Sequence, residues 1–316
     1  RVLGRGNQNG YQRAQDGPFE RLQLLADLSR PPQVKFNDLQ SALSSTGGGA
    51  FENDNPLNVD LRIDFFRQSD ERVMTAITIQ TNNKDLRFKE SGGLQTAQMN
   101  IFGRITAVSN RRVGIFEDPV ITTATVSELT DAKDRKSAYQ KAIALAPGTY
   151  KVEVIVRDIN SGATGVVKQG FTVPKYDSSQ LATSTLVLAA VLRNITDQAP
   201  VGQFVIGDKK VIPNVSGNYR RGEPVGVYMQ IYNAGIDQTT LRPSVDVEYV
   251  LTKDGKEVGK QAEDWNGMSD SGQRLTLARL ISTDKLGSGG YELMIRVRDR
   301  VSGQTLSQSA KFTISQ

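Results

Sequence analysis

Cysteine and histidine are both absent from the 316-residue chain, and tryptophan occurs once. Without cysteine there is no disulfide, no thiolate nucleophile and no thiolate metal ligand. Without histidine the commonest general base and metal ligand is missing too, so neither a Ser-His-Asp nor a Cys-His site can be assembled from these side chains. A cysteine-free chain suits any redox compartment and is assigned to none by that fact. No apolar run approaches the roughly 20 residues that span a bilayer. The longest candidate, Leu181 to Leu192, is interrupted by Thr183, Ser184 and Thr185. The chain opens on Arg1 with no signal-like apolar stretch, which is expected of a processed or truncated product whose export signal has gone.

A single-signed charge field is missing as well. The net charge is +5 and the sequence pI about 9.3, yet Lys and Arg alternate with Asp and Glu along the chain. The closest things to a basic cluster are pairs, Arg111-Arg112 at a turn and Arg220-Arg221 before a strand. Phosphate binding needs a stripe of such charges, so no nucleic-acid partner is expected, while a glycan stays open as a ligand.

The chain does have a repeat. Gly148-Thr-Tyr150-Lys-Val-Glu-Val-Ile-Val156-Arg157-Asp158 returns 141 positions later as Gly289-Gly-Tyr291-Glu-Leu-Met-Ile-Arg-Val297-Arg298-Asp299. Ser161-Gly162 and Ser302-Gly303 follow at the same offset, as do Phe171-Thr-Val173 and Phe312-Thr-Ile314. A constant offset through strand, turn and strand marks one supersecondary unit used twice. Around it the apolar period is two: Leu57, Val59, Leu61 and Ile63 alternate with Asn58, Asp60, Arg62 and Asp64, the pattern of a strand with one wet face. Strands are expected over 73–79, 98–108, 113–116, 120–126, 137–145, 150–157 and 166–173, about the number in an immunoglobulin-like sandwich. A second set runs over 185–192, 203–206, 224–232, 244–252, 257–261, 273–280, 291–298 and 305–314, with Asp254-Gly255 as a type I′ hairpin turn. Pro174 and the polar cluster Lys175 to Ser179 separate the two sets. The expected fold is all-β, two tandem immunoglobulin-like antiparallel β-sandwiches over 56–175 and 180–316.

Residues 1–55 form an N-terminal arm ahead of them. Residues 1–17 are rich in Gly, Asn, Gln and Arg and lack periodicity, whereas 18–29 read as a short helix with Pro18 at its first turn. Phe19, Leu22 and Leu25 give that helix an apolar stripe, which must be covered by something. Asp38 to Leu43 add one more helical turn.

Several segments resemble the bacterial GWxTD-domain proteins of Acidobacteria and related groups. They are Pro31-Pro-Gln-Val-Lys-Phe-Asn-Asp-Leu39, Asn100-Ile-Phe-Gly-Arg-Ile-Thr106, Leu181-Ala-Thr-Ser-Thr-Leu-Val-Leu-Ala189, Phe204-Val-Ile-Gly-Asp208 and Met229-Gln-Ile-Tyr-Asn-Ala-Gly-Ile-Asp237. The naming motif itself is missing, since Trp265 sits in Asp264-Trp-Asn-Gly267. The chain is similar to the C-terminal β-sandwich region of that family without the GWxTD domain. The resemblance implies an exported protein of the bacterial periplasm, surface or exterior, and it carries no activity.

The conspicuous polar residues have structural explanations. Arg157-Asp158 and Arg298-Asp299 each close a strand before a turn, and Tyr150 and Tyr291 resemble tyrosine corners. Glu263, Asp264, Asn266 and Asp270 crowd one loop at spacings that do not fit a calcium loop, and Asp131 and Asp134 read the same way. No catalytic, cofactor or metal residues are assigned. The expected function is a non-catalytic structural or interaction protein of the cell envelope that assembles with protein partners or head to tail with copies of itself through its arm. The alternative is a glycan- or protein-binding module using exposed aromatics such as Tyr228, Tyr232 and Trp265.

Overall fold

The computed structural model describes residues 35–45, 57–195, 203–264, 268–271 and 274–316. The proposed helix over 18–29, with Phe19, Leu22 and Leu25, lies outside the described residues, as does Trp265. Helix α1 (Asn37–Ser45) precedes β1 (Val59–Arg67), β2 (Val73–Asn82), β3 (Lys89–Ser91), β4 (Leu94–Ala107) and β5 (Arg112–Ala124). Helix α2 (Leu129–Asp134) leads to β6 (Lys136–Leu145), β7 (Gly148–Asp158) and β8 (Thr164–Val173). Then come β9 (Ala182–Thr183), β10 (Val187–Asn194), β11 (Val205–Ile206), β12 (Lys209–Pro213), β13 (Asn218–Arg220), β14 (Val225–Tyr232), β15 (Ile236–Asp237) and β16 (Arg242–Pro243). The chain ends with β17 (Val245–Lys253), β18 (Lys256–Asp264), β19 (Ser269–Ser271), β20 (Arg274–Ile281), β21 (Gly289–Asp299) and β22 (Thr305–Ser315).

The molecule is all-β and holds two immunoglobulin-like sandwiches. In the first, the sheet β1-β2-β6 covers the sheet β5-β4-β7-β8, to which β3 adds at one end. The alternation of β1 supplies Leu61, Ile63 and Phe65 to a core with Ile77, Ile79, Ile101, Val152 and Val154. Residues 113–116 and 120–126, expected as two strands, are largely one strand, β5, which contains Pro119. Proline is tolerated there because β5 lies at the border of its sheet, where a missing N–H breaks no second ladder. Gly103 sits opposite Phe116, and a Cβ on it would fall 2.0 Å from that ring, so the close approach requires glycine.

The second sandwich repeats the plan. Strands β14 and β20 correspond to β2 and β6, and β17, β21 and β22 correspond to β4, β7 and β8. The expected hairpin turn is present, with Asp254 and Gly255 at φ 51° and 76°. Several features depart from the expectation. Strand β12, which follows the predicted 203–206 segment, was not legible, nor were the short strands β13, β15, β16 and β19, and β13 runs parallel to β22 rather than antiparallel.

The two sandwiches pack broadside. In β2 the odd residues Val73, Ile77 and Ile79 enter the first core, and in β14 Val225, Val227, Met229 and Ile231 enter the second. The opposite faces of these sheets meet between them: Phe66 and Ala76 pack with Val187, Ala189, Ile206, Val211 and Tyr228. Every residue of β14 is consequently buried, the condition that parallel-sheet interiors ordinarily impose. Several polar groups in the interface are paired, while the buried Gln80 Oε1 finds no hydrogen-bond partner. Thr185 exchanges two hydrogen bonds with Phe65, the Arg67 N–H donates to the Tyr232 hydroxyl, and Gln140 bonds both Thr78 and the Phe204 N–H. Burial pushes the Asp64 carboxyl above its ordinary range, against the pull of the Arg62 guanidinium 2.8 Å away.

Candidate functional site

The repeated unit uses the glycine, tyrosine and aspartate common to its two copies for its own architecture. Gly148 and Gly289 open the strands at φ 153° and 136°. Two residues on, the Tyr150 hydroxyl donates to the Ala146 carbonyl at 2.9 Å, and the Tyr291 hydroxyl donates to the Gly287 carbonyl at 2.7 Å. Both are tyrosine corners that reach four residues back. Their rings stack on the facing strand, Tyr150 on Phe171 at 5.7 Å and Tyr291 on Phe312 at 5.5 Å.

Asp158 and Asp299 are buried at the other end of the same strands. Asp158 accepts from the Asn160 N–H, the Ser161 hydroxyl and, across the sandwich, the Arg87 N–H at 2.9 Å. Asp299 accepts from the Val301 and Ser302 N–H groups, the Ser302 hydroxyl and the Gly235 N–H at 2.9 Å. Each carboxylate therefore closes its hairpin and pins a loop from the other sheet. Glycine is required at 235, where a Cβ would fall 2.5 Å from Val301. Burial raises the affinity of Asp299 for a proton, but the Ser302 hydroxyl and three backbone N–H groups outweigh it and hold the carboxyl below the usual range.

The neighbouring arginines diverge, and with them the two outer sheet faces. On the first sandwich Phe102, Ile155, Ile115 and Val166 form an apolar patch that α1 covers with Leu39 and Leu43. The Phe36 N–H donates to Glu117 at 2.7 Å, and Arg157 pairs with Asp38 of the helix. The register places Glu248 and Arg296 of the second sandwich where the first has Phe102 and Ile155. There Lys260, Glu248 and Arg296 form an ion triad at 2.7 and 3.0 Å, and Arg300 pairs with Asp246. Arg298, the counterpart of Arg157, is exposed and stands directly across from Asp246. Asp246, Glu248, Arg296, Arg298 and Arg300 line an open groove of about 830 Å³ between β17, β18, β21 and β22. The Arg300 hydrogen bond chiefly holds the Asp246 carboxyl below its ordinary range.

Tyr228 and Tyr232 line the interface between the sandwiches and not a surface groove, and burial pushes the Tyr228 hydroxyl up to about 12. Glu263 accepts the Tyr249 hydroxyl and pairs with Arg279 at 2.7 Å, whereas Asn266 lies outside the described residues. No cluster of three acidic groups suited to a metal occurs among the described residues. The docking of α1 was missed, although Phe36, Leu39 and Leu43 at helical spacing carried the signal. No protein-family model matches the chain, and no curated protein matches it.

Proposed function

We propose that the chain is a non-catalytic structural and interaction protein of the bacterial envelope or exterior, one that joins copies head to tail through its N-terminal arm. The observation that carries this reading is α1, an N-terminal segment seated on an outer sheet face by Leu39 and Leu43 against Phe102 and Ile155. A chain that uses one helix to cover a sandwich face has the chemistry to cover a neighbour's face with the same segment, as in exchange between copies. The broadside interface supports a structural role, because it removes the swivel expected of a short linker. The envelope setting rests on the resemblance to GWxTD-domain proteins. Light scattering coupled to size-exclusion chromatography tests the assembly. The full chain is expected to form oligomers that grow with concentration, and a chain lacking residues 1–45, which include α1, to run as a folded monomer. A full chain that stays monomeric at high micromolar concentration overturns this reading. The groove at Arg298 favours a second one, a module that binds a carboxylate-bearing glycan or peptide, and it then takes first place.

A further inference from the structure

The outer face of the first sandwich is only partly covered by α1. Beyond the helix, the pairings set Ile121, Gln98 and Ile159 side by side across β5, β4 and the turn that follows β7, since Gln98 faces Ile121 in β5 and its carbonyl accepts the Ile159 N–H at 2.9 Å. The next row, between this one and Glu117, is Pro119, Asn100 and Arg157, the last paired with Asp38 of α1. Strand alternation puts all of them on the face that carries Phe102 and Ile155, and Leu94 lies on that face too. Ile121 is 59% exposed, Ile159 45% and Leu94 40%. The second sandwich shows what an uncovered version of this face looks like. Its counterpart of Ile159 is Arg300, whose N–H bonds the Ser244 carbonyl as the Ile159 N–H bonds that of Gln98, and whose guanidinium pairs with Asp246. The same position is thus a salt-bridged arginine where the face is open to water and an isoleucine where α1 begins.

We propose that this apolar strip seats residues 18–29 of the same chain, through Phe19, Leu22 and Leu25. Three considerations select that occupant. The strip is continuous with the face α1 already occupies, and the chain ahead of α1 leaves from it, because the Phe36 N–H is bonded to Glu117. Ile121 is four residues beyond Glu117 along β5, about 13 Å at strand rise. The seven residues back from Phe36 to Ser29 reach up to about 25 Å. An attached segment of that reach has a millimolar effective concentration, roughly, over the strip, which a second copy cannot match in dilute solution. The inference does not depend on assembly: if the stripe docks at home, residues 1–17 remain as the part of the arm free to meet a neighbour.

The absence of cysteine provides a direct test. Leu22→Cys or Leu25→Cys is combined with Ile121→Cys or Ile159→Cys in the full chain, and each double variant is mildly oxidised at low micromolar concentration. The expected result is loss of both thiols with retention of single-chain mass in at least one of these pairs, while the control of Leu22→Cys with Leu280→Cys, on the second sandwich, keeps its thiols. Persistent thiols in every strip pair, or disulfide-linked dimers as the main product, overturn the proposal. Light scattering on the unmodified chain reads assembly separately, so failure of one idea is not failure of the other.

Discussion

Tyr291 is 5% exposed whereas Tyr150 is partly open, so the two corners differ in what their removal costs. Tyr291→Ala is expected to destabilise the second sandwich by about 3 to 5 kcal/mol and Tyr150→Ala the first by less, about 1.5 to 3 kcal/mol. The Tyr→Phe changes, which delete only the hydrogen bond to the backbone, cost about 1 kcal/mol each; urea denaturation distinguishes these outcomes. The buried aspartate adds a pH dependence. Because the folded state holds the Asp299 carboxyl below its ordinary range, its contribution is present above the unfolded value of about 3.9 and is lost as pH falls through the lower folded value. Asp299→Asn should therefore flatten the loss of stability below about pH 4, which thermal melts from pH 2 to 6 would register. An unchanged acid limb contradicts that assignment.

At the scale of elements, α1 is the testable piece. Leu39→Asp places a charge against Phe102 and Ile155, and the expected outcome is at least about tenfold faster hydrogen exchange in residues 37–45, with β4 and β7 still protected. Equal protection in the variant would show that the helix does not depend on this contact. The sequence made the strands legible because a half-buried strand must alternate, and β1 does so plainly. It made the hairpin at Asp254-Gly255 legible because few residues accept two successive positive φ values. Strand β5 was read as two pieces because Pro119 looks like a stop, and only the sheet order reveals that the strand is at a border. Strand β12, Lys209 to Pro213, carries two lysines and a proline in five residues, so local pattern had little chance of finding it. The corners and turns of the repeat were visible because an offset of 141 residues preserves chemistry as well as spacing. The covered face was not visible, since nothing local says that Phe102 and Ile155 share a neighbour near residue 40.

For the whole molecule, sequence periodicity divides the chain into two sandwiches but is silent on how they meet. The even residues of β14 are Gly226, Tyr228, Gln230 and Tyr232, which suit a wet face as well as a polar interface. Their burial comes from tertiary packing, which includes Phe66 and Ala76 of the first sandwich and Tyr176 of the linker. With Phe66, Ala76 and Tyr228 buried in common, the two sandwiches should unfold together. Calorimetry of the intact chain is expected to give one transition, and Tyr228→Asp, which forces a charge between the sheets, should split it into two. Two independent transitions in the unaltered protein would mean the interface contributes little.

The broadside arrangement also fixes a length. Four sheets stacked face to face, each about 10 Å from the next, put the helix-bearing face of the first sandwich and the charged face of the second roughly 30 Å apart and looking in opposite directions. Sandwiches strung end to end would let that separation vary with every bend of the connecting residues. Here it is set by side-chain volumes in three closed layers, so anything seated on the two outer faces is kept at one distance and one angle, as by a ruler.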